Sequence, residues 1–121
     1  MWDQNWLSDL GSTQAWNGDD NLAGARIFNG AMIAFGFCMI LFFAGTLRAS
    51  EESPTPAAWT TSIAGGLSGM GLVVIGLTPF DKYEGLHLCG LGIWILAMIV
   101  ASCSFSVQVY LRGGATSLLI P

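Results

Sequence analysis

Charged side chains make up only 10% of the 121 residues; histidine occurs once, and lysine and arginine together occur four times. Soluble domains carry roughly a quarter charged residues, so packing in water is the wrong frame for this chain. With a net charge of −4 and no Lys/Arg cluster, the sequence offers nothing for nucleic acid and no basic patch for anionic lipid. The motifs of metal and cofactor chemistry are also missing. There is no H-E-x-x-H, no Cys-x-x-Cys, no G-x-S-x-G elbow and no phosphate loop, so neither a metal nor a cofactor is expected. Cys38, Cys89 and Cys103 are read as small apolar packing residues.

What charge there is has a pattern. None falls between Arg26 and Arg48, between Glu52 and Asp81, or between Glu84 and Arg112. Each gap holds the ~20 mostly apolar residues that a helix rising 1.5 Å per residue needs to cross a hydrocarbon layer of roughly 30 Å. Strands are excluded because the segments lack apolar/polar alternation, and an open sheet would leave backbone groups unpaired in lipid. The expected fold is therefore all-α, a transmembrane bundle with spans at residues 27–47, 58–77 and 86–111 inside a membrane domain of residues 27–112. A polar tail, residues 1–26, precedes it and a short tail, residues 113–121, follows. The acidic first tail lacks the basic segment and apolar core of a cleavable signal peptide, so the first span is expected to direct insertion.

In that tail Trp2, Trp6, Leu7 and Leu10 recur at helical spacing before Gly11, and Trp16 follows. A short interfacial helix with tryptophans at headgroup level is the expectation. The first connector, residues 48–57, carries Pro54 and Pro56; the second, residues 78–85, runs from Thr78-Pro79 to Gly85 and is read as a turn. Three crossings put Asp9 and Asp81 on one face of the membrane. The face itself is undecided by charge, since Arg26 and Lys82 on one side balance Arg48 and Arg112 on the other.

Small residues indicate helix contacts. Gly65 and Gly69 form a GxxxG with Gly76 on the same stripe, and Thr61 and Ser68 lie nearby. In the third span His87, Gly90, Trp94, Ala97, Ala101 and Ser104 share a face expected to turn inward, opposite Leu88, Ile95, Leu96 and Ile99. His87 and Asn29 open their spans at one membrane level, and polar groups at such depth face the bundle and find partners. A carboxylate from Asp81, or else Asp9, is the expected partner of the imidazole.

Several short pieces in order resemble the domain-of-unknown-function family 998 of bacterial and archaeal membrane proteins. They are Asn5-Trp6-Leu7-Ser8-Asp9-Leu10-Gly11 ahead of a span, Ile27-Phe28-Asn29-Gly30 opening it with Gly36 inside, and Gly76-Leu77-Thr78-Pro79 followed by His87. The resemblance implies a cell-membrane protein, typically of about six helices in that family, with the Ser8–Gly11 loop and His87 outside. It adds Ser8 to a polar cluster of Asp9, Asn29, Asp81 and His87, and supplies no reaction.

Three functions compete. The leading one is a non-enzymatic multi-pass bundle, or a fragment of a six-helix protein, that binds a lipid or a partner chain, the latter a second copy or the additional helices of a longer protein. The alternative is a lipid-modifying enzyme using His87 with Asp9 or Asp81 as its catalytic groups. A transporter is third, because transport ordinarily calls for broken or polar helices at the midplane.

Overall fold

The computed structural model describes residues 7–49 and 54–117. A five-residue 3-10 turn, Leu7–Gly11, leads through a folded loop into α1, Leu22–Arg48; α2, Pro56–Leu77, and α3, Phe80–Ser117, follow. All three helices are long and apolar enough to cross a membrane. Among the described residues the only β-type pairing is one isolated bridge, Gln14 with Asp20.

The helices outrun the charge-free gaps that reveal them. Helix α1 starts at Leu22, with Arg26 inside its first turns, because charge marks where lipid ends and not where a helix must. Pro56 takes the first position of α2, where its missing N–H costs nothing, and the Thr55 hydroxyl accepts the Ala58 N–H at 3.2 Å. The second connector is shorter than its sequence suggests. Only Thr78 and Pro79 separate α2 from α3; a single helical turn begins at Phe80, the backbone leaves helical geometry at Tyr83, and the long helix resumes.

Helix α2 stands between the other two. Half of its apolar span is buried, against 17% for α1 and 11% for α3. Toward α1 the backbones nearly touch: a Cβ on Gly69 would meet the Gly36 carbonyl oxygen at 2.6 Å, and one on Gly36 would meet that of Gly69 at 2.6 Å. Farther along the same side Gly65 lies against the Phe43 ring and Gly76 against the Asn29 carbonyl. Toward α3, Gly71 faces the Gly90 carbonyl and the Trp94 backbone.

Hydroxyl groups join the helices where glycines bring them close, Ser62 Oγ donating to the Phe43 carbonyl at 2.8 Å and Ser68 Oγ to that of Trp94 at 3.2 Å. Such bonds contribute roughly 0.6–2 kcal/mol in membranes. Phe43, Ala64 and Ala101 meet between the helices, with Met39 and Met98 against them. Along α3, His87, Gly90 and Ala101 are buried, whereas Leu88, Ile95, Leu96 and Ile99 are exposed. All three cysteines are exposed rather than packed; lipid is as apolar as a helix interface, so their polarity did not distinguish the two.

Candidate functional site

One end of the bundle concentrates the polar side chains, and the loop between the 3-10 turn and α1 lies across it. The loop is compact: the Ala15 N–H donates to the Asp19 carbonyl at 2.9 Å, the Asn21 N–H to that of Thr13 at 3.0 Å, and Gly18 takes φ = 86° at its tip. That left-handed conformation suits glycine, which has no Cβ to clash. Asn17 and Asp19 close the tip through their side chains. Asn21, just before α1, donates Nδ2 to the Ser12 carbonyl at 2.9 Å and so ties the loop to the helix it introduces.

Two side chains from the helices pin this strap. Asn29 is buried and donates Nδ2 to the Gly11 carbonyl at 2.9 Å. Its Oδ1 occupies the space a Cβ at Gly11 would need and has no hydrogen-bond partner among the described residues. On α3, Asp81 receives both donors of Thr13, the N–H at 3.0 Å and Oγ at 2.6 Å. The strap is thereby fixed to α1 and to the start of α3 at the same end of the molecule.

His87 has a different partner from the one the sequence suggested. It is 3% exposed, and its Nδ1 lies 2.7 Å from the Thr78 carbonyl at the end of α2. A carbonyl only accepts, so Nδ1 carries the proton and, in the neutral ring, Nε2 is the basic nitrogen. The N–H groups of Lys82 and Tyr83 both go to Pro79, leaving the Thr78 carbonyl to the imidazole. Phe80 packs edge-on against the ring, centroids 5.4 Å apart. Asp81 thus turns to Thr13 rather than to His87.

The other carboxylate named for that role, Asp9, accepts Trp16 Nε1 at 3.1 Å. Ser8 is half-buried in the 3-10 turn beside it. Trp2 and Trp6 lie outside the described residues; of the proposed interfacial helix, the part described is the 3-10 turn with Leu7 and Leu10 exposed. Among the described residues no three His, Cys, Asp or Glu side chains converge as metal ligands. Thr13, Gly11 and Thr78 were not legible as site residues, since two of them act through backbone carbonyls that every residue possesses.

The model of a family described as a protein of unknown function (DUF998) matches residues 2–120. The chain belongs to the DUF998 family. No curated protein and no solved structure matches it. In this DUF998 chain, three helices long enough to span a membrane carry a strap fastened over one end by Asn29 and Asp81.

Proposed function

We propose that the chain is a non-enzymatic, multi-pass protein of the cell membrane, its capped end external, whose open α1 and α3 flanks receive lipid and further helices from a second copy or a longer chain. The observation that carries this reading is how the capped end uses its polar side chains. Asn29 and His87 each hold a backbone carbonyl, and Asp81 holds Thr13. These are the contacts of a scaffold, in which polar groups at the membrane boundary fix the ends of helices. Among the described residues the helices run unbroken through their centres, with an irregular residue, Tyr83, near an end of α3, which weighs against transport by broken midplane helices.

The enzymatic alternative draws on one feature: the Nδ1–H of His87 is held so that Nε2 is the basic nitrogen. General-base work would still call for a group to stabilise the imidazolium, and Asp81 is engaged by Thr13. The two readings separate in one experiment. The full chain in lipid nanodiscs is analysed by native mass spectrometry for bound phospholipid and self-association, and incubated with a mixed lipid extract. The expected result is retained lipid or oligomers without lipid turnover. Turnover that disappears in His87→Ala would replace this reading with the enzyme.

A further inference from the structure

The strap carries apolar side chains that the bundle does not cover. Trp16 is 76% exposed and Leu7 72% exposed, and Leu10 is exposed beside them. At the opening of α1, Leu22 and Ile27 are also exposed. An acidic loop carrying Asp9, Asp19 and Asp20 would not ordinarily present these groups to water without a reason. The indole shows one. Its N–H, the only polar atom of the ring, donates to Asp9 Oδ2, so the ring can enter an apolar layer without leaving a donor unsatisfied there.

We infer that the strap is seated in the headgroup layer of the bilayer, with Trp16 and the leucines of the 3-10 turn reaching the acyl boundary, and with Asp9 as the residue that positions the ring. The occupant of this surface is lipid. The strap leads directly into α1, a helix long and apolar enough to cross a membrane, and Trp is at home at this depth because its ring is apolar and its N–H can be paired. The charge of the strap specifies the kind of lipid. Between Leu7 and Asn21 it holds three carboxylates and no basic group, so it suits zwitterionic headgroups and is repelled by an anionic surface, an effect that salt screens.

The inference rests on the membrane-spanning reading, and its test keeps the two apart. The full chain and Trp16→Phe are reconstituted in phosphatidylcholine vesicles containing lipids brominated either near the headgroup or deep in the chain, and alkaline extraction checks insertion. The difference between the two emission spectra is the signal of Trp16. It should be blue-shifted, quenched most by shallow bromines and protected from aqueous iodide. Replacing half of the lipid by phosphatidylglycerol should reduce the shallow quenching, and added salt should restore it. Asp9→Ala should shift Trp16 to the red, whereas Asp9→Asn, which keeps an acceptor oxygen, should not. An inserted chain whose Trp16 is open to iodide and untouched by either bromine overturns the strap proposal alone. A Trp16 signal identical in Asp9→Ala overturns the positioning role of Asp9. A chain that alkali extracts from the vesicles overturns the membrane reading and this inference with it.

Discussion

At the capped end, Thr13 gives both of its donors to Asp81, while the buried imidazole of His87 lies on the carbonyl of Thr78. These pairings make different demands on mutants. In a double-substitution cycle, Asp81→Ala and Thr13→Val should be coupled by about 0.5–1 kcal/mol, at the low end for touching residues because the pair is exposed. Asp81→Ala and His87→Ala should instead add within about 0.5 kcal/mol. Unfolding in mixed detergent micelles measures both, and coupling between Asp81 and His87 with none to Thr13 would reverse the assignment. His87→Leu should cost more, about 1–3 kcal/mol, since it leaves the Thr78 carbonyl without its donor in a buried position. An unchanged melting temperature for that variant would show the bond to be dispensable. Polarity singled out Asn29, Asp81 and His87 from the sequence alone. The partners of Asn29 and His87 escaped because an acceptor on the main chain leaves no mark in the alphabet of side chains, and Thr13, the donor to Asp81, lies 68 residues away in an ordinary polar stretch.

Among the helices, α2 combines glycines that are pressed against a neighbour with others that are free. Gly69 has the Gly36 carbonyl in the place of its missing Cβ, whereas among the described residues nothing lies within 4 Å of the corresponding position at Gly66. Gly69→Ala should therefore force two backbones apart and cost about 1–3 kcal/mol, while Gly66→Ala should be neutral or stabilise by up to about 1 kcal/mol through helix propensity. Thermal melts of both variants in detergent and in bilayers check this, and equal effects would dissolve the distinction. Charge-free gaps located all three helices, because a charged group is expensive in hydrocarbon. They did not fix the ends: α1 continues outward past Arg26 to the cap at Asn21, where only the local Asp-Asp-Asn run signals a beginning. The Gly65, Gly69 and Gly76 stripe was readable within α2, but its counterpart at Gly36 was not, since a close approach belongs to two helices and one sequence window contains only one of them.

For the molecule as a whole, the bond between Thr13 and Asp81 places the strap and the α2–α3 corner at one end and the α1–α2 connector at the other. In a background without native thiols, cysteines at positions 13 and 81 should react with an impermeant reagent from the same side, and one at position 55 from the opposite side. Labelling of positions 13 and 81 from different sides would require another path for the chain. The central place of α2 has a further consequence for biogenesis. It is the least apolar of the three spans and the most enclosed, with Thr61 and Ser68 wholly buried among its glycines. A segment leaving the translocon is sorted by its own affinity for lipid, and α2 on its own has the weakest claim to stay there. The flanking helices are sufficiently apolar to be released independently, so α2 should insert efficiently only when α1 has gone in before it and offers Gly36 and the Phe43 carbonyl as its first company in the bilayer.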